Sequence, residues 1–137
     1  MPEMTLAETA AFLDVAHVVD LVTLRRDGAP HVAPVWYQHV GGRVLVMAEA
    51  SSVKVRNIRR DPRVAISAAT QSEPYAYVLV EGTAEVWTEG VEGPVLEISV
   101  RYRGAERGGR FARELLEDGG MAVIEVTPHR VITHRDE

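Results

Sequence analysis

Apolar and polar residues alternate along two early stretches of the chain, and this alternation predicts strands. The first stretch runs from His17 to Arg25 and is rich in valine and leucine. Asp27-Gly28 follows as a tight-turn signal, and a second strand is expected from His31 to His39. Proline has no N–H to donate to a strand ladder, so Pro30 should mark the start of this strand and Pro34 an edge or a bulge.

Four more apolar runs have the length and the residue content of strands. They span residues 43–48, 63–69, 75–87 and 121–126. Gly82 lies inside the longest run, where it suggests a bulge or a bend in a curved sheet. Pro128 should interrupt the last strand, which would resume over Val131 to His134. The chain thus carries about six strands in antiparallel hairpin order.

Helix signals separate these strands. Short helices are predicted over residues 5–13, opened by a capping box, over residues 92–103, with a proline in the first turn, and over residues 110–118, closed by a glycine pair. No linker or repeat divides the chain, so residues 1–137 should form one domain. Closing such a sheet removes its exposed edges, and the expected fold is a mainly β small barrel with short helices.

The stretch from Ala50 to Pro62 carries the candidate chemistry. Ser51 or Ser52 should cap a helix that ends near Arg60, because proline disfavours helical geometry in the residue before it. Lys54 then lies in the first turn. Free N–H groups, the positive end of the helix dipole, two hydroxyls and an ammonium would converge there, which suits a phosphate. The same pattern also fits a serine-capped helix with a solvated basic face, and the local sequence leaves both interpretations open.

Charge and composition exclude several functions. The net charge of −5 disfavours nucleic acid as a partner, and the absence of cysteine excludes disulfides and thiolate chemistry. The five histidines show no compact metal-ligand spacing, so no metal site is predicted. No apolar run reaches the length of a membrane span, and the first residues do not resemble a signal peptide, so a cytoplasmic protein is expected.

Aromatic side chains lie on several of the predicted strands, where ordinary core packing explains most of them. The segment Pro34-Val35-Trp36 is the exception of interest, because it would lie beside the candidate phosphate turn. A strand there could flank a flat ring system. A cofactor with a ring at one end and a phosphate at the other would fit this arrangement.

Four parts of the chain resemble the split-barrel flavin-binding group related to pyridoxamine 5′-phosphate oxidase. They are residues 51–64 (SSVKVRNIRRDPRV), residues 27–28 with 34–37 (DG and PVWY), residues 80–84 (VEGTA) and residues 101–104 (RYRG). The resemblance covers nearly the whole chain. It is strongest to the branch that uses the deazaflavin coenzyme F420, whereas other members of the group use flavin mononucleotide (FMN).

The resemblance implies a six-stranded antiparallel split β-barrel and a homodimer with two cofactor sites at its interface. Lys54 and the Ser51-Ser52 backbone and hydroxyls would then hold the cofactor phosphate, and Asn57 would support that turn. Ser52 stands where some relatives carry arginine, which leaves the site one positive charge short. The ring end of the cofactor would be bordered by the backbone of Pro34, Val35 and Trp36, by Ala48 and Glu49 at its side wall, and by Tyr75 and Tyr77 across the dimer.

The implied activity is an oxidoreductase that transfers a hydride from reduced F420 to a small, conjugated organic substrate. In such proteins the cofactor carries the hydride chemistry, so no residue is assigned a catalytic role. Two alternatives stay open: an FMN-dependent oxidoreductase, and a flavin-binding or storage protein that admits no substrate. The glutamate tail of F420 is expected to run over Arg56, Arg59 or Arg60.

Overall fold

The structure is a computed structural model that describes residues 3–136. Its elements follow the chain in this order: α1 (Leu6–Leu13), β1 (Val19–Leu24), β2 (Pro30–Val35), β3 (Tyr37–Val40), β4 (Arg43–Glu49), α2 (Val53–Arg60), β5 (Arg63–Ala69), β6 (Ala76–Trp87), α3 (Glu92–Arg103), α4 (Ala105–Asp118) and β7 (Met121–Arg135). The predicted mainly β class with short helices is confirmed.

The strands form one antiparallel sheet in the order β2-β1-β5-β6-β7-β4-β3. The two edge strands are consecutive in the chain and only Trp36 separates them, so the sheet curls back on itself. The sequence predicted one strand from His31 to His39, and the structure divides it at Trp36, which gives seven strands instead of six. The division coincides with the N–H of Tyr37, which donates to the Tyr102 hydroxyl at 3.2 Å.

The inward faces of the strands fill the barrel with valine, leucine and isoleucine, and Tyr37 is the largest side chain buried there. Its hydroxyl lies 2.7 Å from the carbonyl oxygen of Leu13 and 2.8 Å from that of Val15, and the two carbonyls share its single proton. Burial raises the pKa of Tyr37 to about 12, because the charged phenolate would lose its hydration. Tyr37 therefore ties the end of α1 to the barrel core.

The bulge predicted at Gly82 is present, whereas the predicted interruption of the last strand at Pro128 is wrong. The pairing register shifts between Glu81 and Gly82, and Gly82 pairs with Pro128 in an unbroken β7. The ladder is already disrupted at a bulge, so the missing proline N–H is tolerated there. A Cβ on Gly82 would lie 2.1 Å from the carbonyl oxygen of Thr127, which explains the need for glycine.

The helix α4 begins at Ala105, five residues before its predicted start. Gly108 and Gly109 suggested a break, but Gly108 lies inside the helix and faces α3. A Cβ at Gly108 would approach the Ser99 carbonyl oxygen to 2.5 Å. Glycine thus allows the backbones of the two helices to meet closely, and this contact fixes how α3 and α4 sit together.

The paired helices α3 and α4 cover the outer face of β4, where a second, smaller core forms. Its buried members are Leu45, Val91, Val95, Ala112, Met121 and Val123, with Met47 and Trp87 packed at its margin. This layer brings the end of α3 next to the break in the sheet at Trp36. None of the helices within residues 3–136 is long and apolar enough to cross a membrane.

Candidate functional site

The helix α2 begins and ends where the sequence predicted. Ser52 is its N-cap residue, Lys54 lies in its first turn, and Asp61 caps its far end just before the proline. The Arg63 side chain donates to the Asp61 carboxylate at 2.8 Å and lowers the pKa of Asp61 to about 2. The first turn contains no acidic residue, so the positive end of the helix and the ammonium of Lys54 are not neutralised within it.

The serine cap was predicted with a hydrogen bond that the structure does not contain. The Ser52 hydroxyl makes no bond to the helix N–H groups, and its Oγ is buried without a hydrogen-bond partner among residues 3–136. Ser51 is exposed, and its carbonyl accepts a hydrogen bond from Arg56 at 2.7 Å. A buried hydroxyl without a partner costs free energy unless a ligand satisfies it. The turn at residues 51–54 therefore fits an anion with acceptor oxygens.

Asn57 anchors this helix to the barrel. Its side chain is buried, its amide nitrogen donates to Thr23 Oγ1 at 3.0 Å, and its Oδ1 accepts from Arg60 at 2.9 Å. Thr23 is also fully buried, on β1. These contacts hold α2 in place, and the support that Asn57 would give to a phosphate turn stays a prediction.

Pro34, Val35, Trp36 and Lys54 come together around one cleft. Its volume is about 480 Å³, and the remaining lining residues are Val18, Met47, Arg103 and Phe111. The strand break at Trp36 and the start of α2 thus face the same space, as the predicted ring end and phosphate end of a cofactor require. Ala48, Glu49, Ser51, Ser52, Asn57 and Tyr77 do not line this cleft within one protomer.

The indole of Trp36 is held between rings and a cation. It stacks on Tyr102 with ring centroids 4.8 Å apart, and it meets Phe111 edge-on at 6.0 Å. The guanidinium of Arg103 lies 5.2 Å from the Trp36 ring and 4.2 Å from the Phe111 ring. Arg103 and Phe111 were not predicted as site residues. The RYRG motif at residues 101–104 was the available signal, but it did not indicate which side chain would face the cleft.

Tyr102 connects this wall to the rest of the fold. Its hydroxyl accepts from the N–H of Tyr37 and donates to the carbonyl of His17. Burial raises the pKa of Tyr102. The neighbouring Arg101 donates to the carbonyls of Leu13, Asp14 and Val15. The end of α3 therefore fixes both the Trp36 stack and the segment that leads into β1.

The other predicted ring-end residues lie elsewhere in the fold. Ala48 is buried in the barrel, and Glu49 is exposed at the end of β4. Tyr77 stacks on His134 with ring centroids 5.3 Å apart, and Tyr75 meets Tyr77 edge-on at 5.7 Å. Their role across a dimer stays a prediction.

A second groove is lined by α2 and by the turn that follows β1. Its volume is about 620 Å³, and it is lined by Arg25, Arg26, Val53, Arg56, Asn57, Arg59 and Arg60. The sequence pointed to the three arginines of α2, but not to the two from the turn after β1. Arg60 donates to the Leu24 carbonyl at 2.8 Å, so part of this cluster also joins α2 to β1. Within residues 3–136 no carboxylate lines the groove, although the chain has a net charge of −5. Residues 3–136 hold no cluster of three or more metal-ligating side chains.

Known structures share this architecture. A conserved hypothetical protein, Rv2991, from Mycobacterium tuberculosis is 25% identical with a TM-score of 0.85, over 96% of this chain and 85% of that one. A protein named F420 reductase is 24% identical with a TM-score of 0.72, over 88% of this chain and 93% of that one. An FAD-binding protein from Mesorhizobium loti is 17% identical with a TM-score of 0.68, over 98% of this chain and 96% of that one. The last two likenesses show the fold alone.

The family model for pyridoxamine 5′-phosphate oxidase matches residues 5–135, which is almost the whole chain. This match agrees with the curled antiparallel sheet, and with a cleft that joins the start of α2 to the strand break at Trp36. The chain therefore belongs to the pyridoxamine 5′-phosphate oxidase family of flavin-binding oxidoreductases.

Proposed function

We propose that this protein is an F420-dependent reductase that transfers a hydride to a conjugated organic substrate. The observation that carries the proposal is the cleft in which Lys54 faces Pro34, Val35 and Trp36. Lys54 and the Ser51-Ser52 turn would hold the cofactor phosphate, and the strand at residues 34–36 would lie along the ring. The Ser52 hydroxyl does not line the cleft, but it belongs to the turn that leads to Lys54 and has no hydrogen-bond partner among residues 3–136. An acceptor oxygen on a phosphate bound at this turn would satisfy it.

The residues of the cleft bind and orient, and none is assigned the role of an acid. When bound, the reduced deazaflavin supplies the hydride. Lys54 and Arg103 are the basic side chains that line the cleft; Lys54 is assigned to the phosphate, and a guanidinium does not give up its proton. A proton for the reduced product would therefore come from solvent, which reaches the cleft from its open side. The aromatic wall of Trp36 and Phe111 offers a flat substrate an apolar surface.

The arginine groove favours F420 over FMN. The groove and the cleft both begin at the first turn of α2, one at Val53 and the other at Lys54. A phosphate at Lys54 would thus leave an attached glutamate tail at the entrance to a groove with five arginines. FMN ends at its phosphate and would leave this groove unused.

We also propose that the protein acts as a homodimer. The outward side chains of β1, β2 and β5 form an apolar row, in which Val22 pairs with Val32 on one side and Ala65 on the other. Val32 is 57% exposed, and Val22 and Ala65 line a depression of about 360 Å³ to which Arg63 and Glu81 also contribute. Exposed apolar side chains accompanied by polar ones on a sheet face are typical of a protein interface.

Titration of the purified protein with F420 and with FMN, read by fluorescence, tests the proposal. F420 should bind more tightly, and the loaded protein should oxidise reduced F420 when an acceptor is added from a panel of conjugated carbonyl and quinone compounds. Tighter binding of FMN would favour the FMN-dependent oxidoreductase. Tight F420 binding without turnover on any acceptor would favour a carrier.

A further inference from the structure

Arg103 is held in place by aromatic rings and makes no polar contact. Its guanidinium lies over the Trp36 and Phe111 rings, and it forms no hydrogen bond or ion pair with another of residues 3–136. Arg101, two residues earlier on α3, instead donates hydrogen bonds to three backbone carbonyls. Ring stacking covers the faces of a guanidinium and leaves its in-plane N–H donors free. Arg103 is thus pre-oriented with donors available.

No carboxylate among residues 3–136 lines the cleft to neutralise this charge. The lining contains two cations, Lys54 and Arg103. Glu106, near the start of α4, forms its own ion pair with Arg110 at 3.2 Å. Two cations on different elements of one cleft can hold two separate anionic groups. Lys54 belongs to the phosphate end at the start of α2, whereas Arg103 lies beside the Trp36 ring.

The geometry points to Arg103 as the residue that binds a carboxylate, or another oxyanion, on the substrate. The preferred substrate would then be a flat conjugated acid whose ring lies near Trp36 and whose anionic group meets the free edge of the guanidinium. The planar guanidinium of arginine can donate two parallel hydrogen bonds to a carboxylate, which favours bidentate recognition. This assignment rests on the proposed function, because it takes Lys54 to be occupied by the cofactor phosphate. If Arg103 instead binds an anionic group of the cofactor, the assignment is wrong.

A matched pair of probes separates these cases. 2-Naphthoate and 2-naphthamide have the same ring and nearly the same size, but only the first carries a negative charge. Each is titrated by calorimetry into protein saturated with F420 and into protein without cofactor. The indole N–H signals of Trp36 and Trp87 in NMR spectra report where the probe binds. Trp87 is the internal reference, because its Nε1 donates to Glu125 on the margin of the other core.

The parent protein should bind naphthoate about five- to twentyfold more tightly than naphthamide, with a shift at Trp36 only. This range lies below that of a buried ion pair, because Arg103 is exposed and solvent screens the interaction. Arg103→Gln should abolish the preference, and Arg103→Lys should keep part of it. Arg107 is an exposed arginine on α4 outside the cleft. Arg107→Gln therefore removes one positive charge, as Arg103→Gln does, and should keep the full preference for naphthoate.

Equal binding of the two probes, or binding of neither at millimolar concentration, would overturn the assignment. So would an Arg103→Gln variant that keeps the preference for naphthoate. If this variant weakens F420 binding as much as it weakens naphthoate binding, Arg103 serves the cofactor and the substrate assignment fails. Failure of the proposed function looks different, since F420 would then not bind at all while the probe preference of the cofactor-free cleft would still be measured.

Discussion

Trp36 and Tyr102 stack face to face, with ring centroids 4.8 Å apart and planes only 2° from parallel. The same tyrosine uses its hydroxyl to hold the N–H of Tyr37 and the carbonyl of His17. One side chain from α3 thus joins the break in the sheet, the wall of the cleft and the entry to β1. The geometry of the cleft depends on helix packing that is remote from it in sequence.

Tyr102→Phe should lower stability while the stack is kept. The substitution removes the acceptor of the Tyr37 N–H, and a half-buried N–H without a partner costs about 1–3 kcal/mol. The free energy of unfolding, measured by urea denaturation, should fall by this amount. Tyr75→Phe is the matched control, because Tyr75 is 47% exposed and its hydroxyl makes no bond within residues 3–136. A Tyr102→Phe variant as stable as the parent would contradict the role of the hydroxyl.

Ser52→Ala should leave the fold intact and weaken cofactor binding. Loss of a serine or threonine cap usually costs about 1 kcal/mol, but Ser52 makes no cap bond. Thr5 forms a full capping box with Glu8 in α1, so Thr5→Ala provides the contrast and should be less stable by about 1 kcal/mol. Thermal melts and F420 titrations of both variants give the result. Destabilisation by Ser52→Ala, with unchanged affinity, would show an ordinary cap instead of a ligand group.

Val32→Asp should convert the proposed dimer into a monomer. Val32 is 57% exposed in the protomer, and an aspartate there would carry an unpaired charge into an apolar interface. Val40, which is 50% exposed on β3 away from this row, supplies the control Val40→Asp. Sedimentation at micromolar concentration should show a dimer for the parent and the control. A monomeric parent would remove the basis for a shared site.

Local signals in the sequence were enough to predict α2 and the position of Lys54. Capping residues, a following proline and apolar alternation act over a few residues, so they can be read directly. The interruption predicted at Pro128 was wrong because Gly82, its pairing partner, is 46 positions away in the chain. Only the bulge between the two strands allows a proline at this position.

The unpredicted part of the site comes from long-range packing. Arg103 and Phe111 reach the cleft because Gly108 lets α4 cross close to α3, and a glycine in a helical stretch more often suggests a stop. The bond from Asn57 to Thr23 joins residues 34 positions apart. The direction of the Ser52 hydroxyl depends on its rotamer, which sequence patterns do not specify. The family resemblance supplied roles for residues, but not these contacts.

The arginine groove should recognise the glutamate tail of F420. Arg25→Gln with Arg59→Gln removes two exposed charges from the groove, and neither side chain makes a hydrogen bond within residues 3–136. Each exposed ion pair contributes about 0–1 kcal/mol, so affinity for long-tailed F420 should fall several-fold at low salt. The salt dependence should become weaker as well. FMN affinity serves as the control and should not change. An equal loss of affinity for F420 and for FMN would show that the arginines do not bind the glutamate tail.

Lys54→Ala should weaken F420 binding by about 10- to 150-fold, since a charge-assisted hydrogen bond contributes roughly 1.5–3 kcal/mol and each 1.4 kcal/mol is tenfold in affinity. The melting temperature should not fall, because a cation at a helix N-terminus does not stabilise the helix. Lys54→Glu should bind more weakly still, because it sets a like charge against the phosphate. Fluorescence titration of each variant gives the affinities, and Arg113→Ala on α4 controls for the general loss of a positive charge.

Lys54 is also the only lysine in the sequence, which allows a test without mutation. Reductive methylation with ¹³C-formaldehyde would place a single side-chain lysine signal in the NMR spectrum of the protein. Bound F420 should shift this signal and slow the methylation of Lys54, while the reaction at the N-terminal amine continues as the internal reference. A phosphate next to the ammonium excludes the reagent and changes the field at the methyl groups. If the chemical shift of methylated Lys54 does not change when F420 binds tightly, the phosphate lies elsewhere and the start of α2 is only a basic surface.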